Sequence, residues 1–419
     1  MSSRFPLFRS VPTLVLVGVA CALVWWIASV HSLDFNVYRT GARAYLGLEG
    51  NTALYDAELW HVSGDSWLPF TYPPFAVLFF LPYALIPTAI GAVLHTGLLI
   101  VSMLVVVHLI ITNTPQLAEF LRQQSQWRHA VLAGLLVFLV GFSGPWRESM
   151  SFGQINAILM AVVLLDLLGT RRTALPRGLL IGLVAGVKLT PLAMGLFFLA
   201  QRDWKAILWM GIGFLGSVAT GFLVTAKGAA YFWTEGLFTT SRVGNDADMY
   251  SVTLKAFTQR LGLTDPGASF AWIGLSLVTI VLGYIATRRL LAAGEVVAAV
   301  GTVATVMLMI SPISWYHHWV WFILLLPALA MPSVSTSRRV RRWKRVGAVA
   351  LYLLFLASSF TMSIAYYGTI QGQGPWWMEL LSSVWMVAAI AAITTITTSS
   401  NGSDPSHLMH PAMSEESTA

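Results

Sequence analysis

The residues able to do acid–base or charge chemistry gather in a few short polar segments beside long apolar runs. Asp34 stands near the head of the first, Leu33-Asp34-Phe35-Asn36-Val37-Tyr38-Arg39-Thr40-Gly41-Ala42. A carboxylate in that place can take a proton from an incoming hydroxyl, or it can cap a helix. Asp34, Tyr38 and Ala42 fall one turn apart, as do Arg39 and Arg43, which predicts a short interfacial helix with one polar edge. Tyr72 precedes Pro73-Pro74, a stiff lead into the next apolar run, and offers a phenol to a substrate. Gln154 and Asn156, two residues apart at a run boundary, can hold sugar hydroxyls through paired donors and acceptors; helix capping and cross-linking are the structural alternative. Lys188 interrupts an apolar run too far from either end to snorkel. As a point charge it suits a phosphate leaving group, with an internal ion pair as the alternative.

The densest polar cluster is Ser311-Pro312-Ile313-Ser314-Trp315-Tyr316-His317-His318-Trp319. Adjacent histidines on a helix point about 100° apart, a poor arrangement for one shared metal. One of them therefore faces the chemistry and the other the packing, and spacing does not choose between His317 and His318. An imidazole here can hydrogen-bond a phosphate or the incoming hydroxyl, while Trp315 fits an aromatic belt at headgroup depth equally well. In a long polar loop, Arg242 is placed to clamp a phosphate and Asn245 to bind a sugar or headgroup. The nearby Asp246-Ala247-Asp248 reads as two solvated acids, and no metal site is expected.

Composition names the medium these groups work in. Hydrophobic residues make up 56% of the 419 and charged residues 10%, whereas a soluble domain carries about a quarter charged residues. Apolar runs lie at 11–30, 73–88, 90–111, 129–144, 153–170, 178–200, 204–226, 268–287, 294–311, 317–332, 345–364 and 378–397. The first is long enough to cross a hydrocarbon core and has no clear cleavage site after it, so it reads as a retained span. Residues 1–398 thus form one membrane domain, followed by a polar tail at 399–419 expected to be disordered and cytoplasmic. The net charge of +7 comes from basic clusters between runs, strongest at Arg338–Arg345. That pattern fits a positive-inside bias and not a nucleic-acid surface. The single cysteine, Cys21, excludes an internal disulfide.

Two topologies remain open for the middle of the chain. Twelve simple crossings leave Arg171, Arg172 and Arg177 outside. Breaking 178–200 near Lys188-Leu189-Thr190-Pro191, with 73–88 dipping without crossing, brings them inside and leaves a 145–156 loop outside. The second gathers more of the polar residues on one face and is preferred.

Taken in order, Asp34-x-x-Val37-Tyr38-Arg39, Tyr72-Pro73-Pro74, Gly153-Gln154-x-Asn156, Lys188-Leu189-Thr190-Pro191 and Ser311-Pro312-Ile313-Ser314-Trp315-x-His317-His318 resemble glycosyltransferase family 87 of the GT-C superfamily. Within it, the chain is most similar to mycobacterial α-1,2-mannosyltransferases that elongate phosphatidylinositol mannosides. The resemblance implies an all-α, polytopic GT-C fold with about 12 transmembrane helices. It also implies a polyprenyl-phosphate mannose donor, a glycolipid acceptor, and inversion with Asp34 as general base; the other matched residues line the cavity. With the residue readings above, Asp34 and His318 are the catalytic candidates. Lys188, His317, Arg242, Tyr72, Gln154, Asn156, Arg39, Asn245 and Trp315 are the substrate-binding ones. Neither cofactor nor metal is expected, and the site is expected to face the periplasm across the plasma membrane. Alternatives are a paralogue acting on lipomannan or lipoarabinomannan or using an arabinose donor, and, from another class, a lipid or sugar transporter. Against the transporter stands the lack of any two-fold repetition of motifs.

Overall fold

A computed structural model describes residues 32–63, 66–169, 175–239, 242–244, 250–332, 336–356 and 383–400. The expected span at 11–30, Arg171 and Arg172, Asn245 with Asp246 and Asp248, and the tail beyond Ser400 lie outside the described residues.

Helices build almost everything described. Helix α1 (Leu33–Tyr45) leads to a small antiparallel hairpin, β1 (Trp60–Ser63) and β2 (Ser66–Leu68), with Trp60 opposite Leu68. There follow α2 (Ala76–Ala84), α3 (Thr88–Thr112), α4 (Pro115–Arg122), α5 (Gln126–Phe142), α6 (Gly144–Ser151), α7 (Asn156–Leu168), α8 (Leu179–Ala185) and, after a 3₁₀ turn at Thr190–Met194, α9 (Gly195–Gln201). The second half holds α10 (Trp204–Val224), α11 (Ala226–Tyr231), α12 (Leu254–Arg260), α13 (Gly267–Ala292), α14 (Val296–Ile310), a 3₁₀ segment at Tyr316–Leu325, α15 (Leu326–Ala330), α16 (Arg338–Leu354) and α17 (Val384–Ser400).

Three of these, α3, α10 and α13, are long and apolar enough to cross a bilayer, with 25, 21 and 26 residues. At 1.5 Å per residue each exceeds a hydrocarbon core of about 30 Å. Their outer faces are apolar: on α10, Leu208, Leu215 and Leu223 are exposed while Gly213, Ser217 and Gly221 are buried. Large apolar groups outside and small ones inside invert the pattern of a water-soluble helix, and lipid is the solvent that such a surface needs.

The remaining apolar runs are broken, and the breaks fall where the polar motifs stand. The 73–88 run makes only the nine-residue α2, about 14 Å long, framed by Pro73-Pro74 and Pro87 and too short to cross a hydrocarbon core by itself. The 178–200 run splits as the preferred topology expects: α8 ends at Ala185, and Lys188 sits in the turn before Thr190–Met194. Pro191 enforces this break, since it donates no hydrogen bond and its ring clashes with the carbonyl one turn back. Helix α5 bends by 71° into α6. Residues 145–151, expected as loop, are therefore helical, because Pro145 fits a first turn and Gly144 admits the Tyr316 hydroxyl and the Phe355 carbonyl. Two further boundaries move. The basic stretch Arg338–Arg345 forms the opening turns of α16 instead of a loop before the 345–364 run, and α17 continues to Ser400, past the expected start of the tail.

Helix α8 is short, so its position depends on docking against α10. The backbones touch there: a Cβ on Gly182 would lie 2.1 Å from the Met210 carbonyl oxygen, and one on Gly213 would lie 2.5 Å from that of Leu179. Small residues at such a crossing let dispersion and packing replace the hydrophobic drive that lipid does not supply. Gly182→Ala must push α8 away, costing about 1–3 kcal/mol of overpacking strain. Thermal unfolding in detergent should show a lower midpoint for Gly182→Ala and none for Gly211→Ala, whose added methyl meets open space. Equal midpoints would remove this contact from the account of how Lys188 is held.

Candidate active site

The turn at Phe152-Gly153 brings the first two motifs together. The Phe152 carbonyl accepts the Asp34 and Phe35 amides, at 2.9 and 3.3 Å, and so caps the start of α1 from outside the helix. Gly153 has φ +66° and lies against Phe35, where a Cβ would come within 2.7 Å of that side chain's own. Both requirements call for glycine. The Gly153 carbonyl is held by His95 Nε2 at 2.9 Å, a histidine of α3 that nothing in the local sequence pattern singles out. Asp34 is the second residue of α1, in its first turn, and Ser32 holds the capping position.

The Gln154 side chain lies beside the Asp34 carboxylate and favours its ionised form. On its other side, Gln154 Oε1 takes the Tyr38 hydroxyl at 3.0 Å, and Tyr38 is 2.8 Å from the Tyr72 hydroxyl. The 3.5 Å from Tyr72 to Gln154 is long, so the natural direction runs Tyr72 to Tyr38 to Gln154 to Asp34. The Tyr38 hydroxyl occupies the amide oxygen, which leaves the amide nitrogen for Asp34. Tyr38 thus joins the candidate site; in the sequence it was marked by its four-residue spacing from Asp34 and by its place in the first matched motif. Asp34 lies on α1, outside the spans, and burial pushes its carboxyl up to about 6, against the Gln154 bond and the Lys188 charge that hold it down. Burial also raises Tyr38 and Tyr72 above the ordinary phenol range, so both remain hydroxyls.

The second arm comes from the broken 178–200 run and the histidine pair. Lys188 Nζ donates to Asn156 Oδ1 at 2.9 Å and lies 3.2 Å from His318 Nε2. The amide of Trp315 donates to His318 Nδ1 at 3.2 Å, which assigns a neutral ring's proton to Nε2. Two donors, an ammonium and an imidazole N–H, are then side by side with no acceptor shared between them, the arrangement a phosphate oxygen would satisfy. Tyr72 joins the arms: its hydroxyl faces Tyr38, and its ring centre lies 5.5 Å from Lys188 Nζ.

The structure separates the adjacent histidines. His318 is half-buried and meets Lys188, whereas His317 is buried, with its ring edge-on to Phe152 and to His318. The Asn156 amide reaches the His317 carbonyl at 3.5 Å, and His317 Nε2 has no hydrogen-bond partner among the described residues. A division of labour follows. Asp34, Lys188 and His318 keep part of their surface open, while Gln154, Asn156, Tyr38 and Tyr72, which orient them, are buried.

Three candidates are placed elsewhere. The Arg39 guanidinium donates to the Tyr83 and Ile86 carbonyls, at 3.0 and 2.9 Å, and so caps the end of α2. Arg242 donates to the Phe70 carbonyl at 3.0 Å and lies over the rings of Tyr55 and Tyr231, pinning its loop beside Tyr72's strand of chain. Trp315 has its ring against Gly244, and its backbone bridges to Ser251. Arg39 and Arg242 thus spend their charge on the scaffold, which residue type alone did not reveal.

Long apolar helices, and a site that holds a carboxylate, a lysine and a neutral imidazole, fit a membrane-embedded glycosyltransferase. Residues 70–312 match the family model for Glycosyltransferase family 87, and the chain belongs to that family. It is 32% identical over 391 residues to the polyprenol-phosphate-mannose-dependent α-(1-2)-phosphatidylinositol mannoside mannosyltransferase of Mycobacterium tuberculosis, covering 90% of this chain and 88% of that one. To the polyprenol-phosphate-mannose-dependent α-(1-2)-phosphatidylinositol pentamannoside mannosyltransferase of Mycolicibacterium smegmatis it is 32% identical over 388 residues, 91% of this chain and 90% of the relative. The transporter alternative gives way to an enzyme.

Acting as general base, Asp34 with its carboxyl near 6 would set the acid side of the rate profile. The ionised form exists above that value, so kcat/KM should fall as pH drops through about 6. Gln154→Leu removes a bond that favours the carboxylate, so its midpoint should move to higher pH. An unmoved midpoint would show that Gln154 does not hold Asp34.

Proposed function

We propose that this protein is an inverting, polyprenyl-phosphate-mannose-dependent α-1,2-mannosyltransferase, with a mannosylated phosphatidylinositol lipid as acceptor. In this reading it has a GT-C fold of about twelve crossings, sits in the plasma membrane and works at the periplasmic face. The observation carrying the mechanism is the opposition of Asp34, held by a neutral amide, to the paired donors Lys188 and His318 beyond Tyr72. The donor and linkage are supported by what both relatives are named for, at similar identity over most of the chain.

The step balances without a further reactant. Asp34 takes the proton of the acceptor hydroxyl, and that oxygen attacks C1 of the mannose from the face opposite the phosphate. The C1–O bond breaks, and its electron pair leaves on the polyprenyl phosphate. Lys188 and His318 stabilise the growing charge on the phosphate oxygens, so a stable phosphate monoester departs without a separate acid. Asn156 positions Lys188, and Tyr38 and Tyr72 position Asp34 through Gln154. With that charge supplied by the chain itself, we propose transfer without a metal, and chelation by EDTA should leave the rate unchanged.

The purified full-length protein should transfer labelled mannose from polyprenyl-phosphate mannose to a panel of mannosylated inositol lipids, and methylation analysis should place the new linkage at O2. Products formed on lipomannan, or from an arabinose donor alone, would replace this reading by the paralogue one. Asp34→Asn should lower kcat by about 10²–10⁴, and Lys188→Met by about 10²–10³. The two variants differ in folding. Because burial raises the folded carboxyl above its ordinary value, ionising Asp34 costs stability as pH rises through about 6. At pH 7.5 Asp34→Asn should therefore unfold no earlier than the parent, and an inactive but destabilised variant would count against a catalytic role.

The orientation has its own check. With Cys21 replaced by serine, a cysteine in place of exposed Trp67 should react with an impermeant maleimide in intact cells. One in place of Arg342 should react only after permeabilisation, and the reverse pattern would put the site in the cytoplasm.

A further inference from the structure

Helix α16 carries a surface that the transfer chemistry does not use. Arg338, Arg341, Arg342 and Arg345 line one half of an open groove of about 620 Å³, and Val346, Val349, Ala350 and Leu353 line the other. These positions follow one another along a single helical face, since residues three and four apart share a side. Position 338 lies about 22 Å along the axis from position 353 at 1.5 Å per residue, and the change from charge to hydrocarbon comes midway. Trp343, exposed at 63%, stands at that transition, the depth that indole prefers at a membrane boundary.

Three of the four charges on this face have no acidic partner among the described residues. Among the described residues no ion pair involves Arg338, Arg342 or Arg345, and the first turn of α16 contains no acid. Lys344, on the other side of the helix, is buried and feels the charge of Glu295. Arg341 gives one nitrogen to the Thr336 carbonyl. Arginines gathered at a helix N-terminus also oppose the helix dipole, which favours anions at that end. A helix whose inner charge is answered, and on which Arg338, Arg342 and Arg345 make no ion pair among the described residues, calls for an anion from outside the chain.

We propose that this groove binds an anionic glycerophospholipid, with its headgroup phosphate among the four arginines and its acyl chain along Val346, Val349, Ala350 and Leu353. Guanidinium groups match phosphate oxygens in pairs, and the adjoining apolar half selects a phosphate that carries a hydrocarbon tail. The lipid belongs to the leaflet that the N-terminal end of α16 meets. It is distinct from donor and acceptor, and its binding does not depend on the proposed transfer reaction.

Native mass spectrometry of the full-length protein in detergent tests this, using phosphatidylglycerol and phosphatidylcholine with identical acyl chains. Phosphatidylglycerol should be retained at least about tenfold more tightly than phosphatidylcholine, since each basic group at the surface attracts an anionic lipid. The combined R338Q, R341Q, R342Q and R345Q variant should lose that preference. The matching set of Arg→Lys changes keeps the charge and should preserve most of it, which separates loss of the site from loss of the fold. Val349→Gln with Leu353→Gln should weaken retention with every arginine in place. Equal retention of both lipids, or a preference that survives the glutamine set, would overturn the proposal. So would displacement of phosphatidylglycerol by millimolar glycerol phosphate, which would make the groove a site for soluble phosphate.

Discussion

A carboxylate at the edge of a bilayer must stay ionisable without being neutralised, and this molecule meets that demand with a neutral amide. A direct Asp–Lys pair would hold Asp34 firmly as an anion but would also remove its basicity. Gln154 stands beside it instead, oriented by the Tyr38 hydroxyl on its oxygen, with Tyr72 behind Tyr38. Hydrogen bonds in such a chain polarise one another in a low-dielectric setting. Lys188 acts on Asp34 only through space, which leaves its ammonium close to His318 for an anionic partner.

The scaffold follows from that arrangement. Backbone groups freed by a broken helix need partners, so breaks in membrane helices are tolerated where protein or a polar cavity surrounds them. Here each break delivers a polar group to the site. The turn before Asn156 presents Gln154, the interruption after α8 presents Lys188, and the 3₁₀ start at Tyr316 presents His318. The long helices α3, α10 and α13 are left to meet lipid, and glycines on α8 and α10 allow the approach that holds the Lys188 turn.

Charge is used in different ways at the site and on α16. At the site it is sparse, and each charged group has a dedicated neutral neighbour. On α16 it is dense, and the outer arginines face away from the chain. The same residue type therefore serves three ends: Arg39 and Arg242 cap carbonyls and brace loops, while the α16 arginines offer themselves to an external anion.

Residue order alone determined the medium, the family and most of the site's membership. Apolar runs report their solvent whatever their neighbours are, and Asp34, Gln154, Asn156, Lys188 and His318 stood out because ionisable and amide groups beside lipid are costly without a purpose. Pro191 and the prolines around α2 marked breaks, because a missing N–H is a local property. Only the tertiary structure decided which charges remain available. Arg39 and Arg242 look like phosphate ligands until carbonyls distant in the chain take their donors, and His317 and His318 are told apart by what packs on each ring. Contacts between segments more than a hundred residues apart, such as the Tyr38–Gln154 hydrogen bond or the approach of Lys188 to His318, arise from helix packing, which no local spacing encodes.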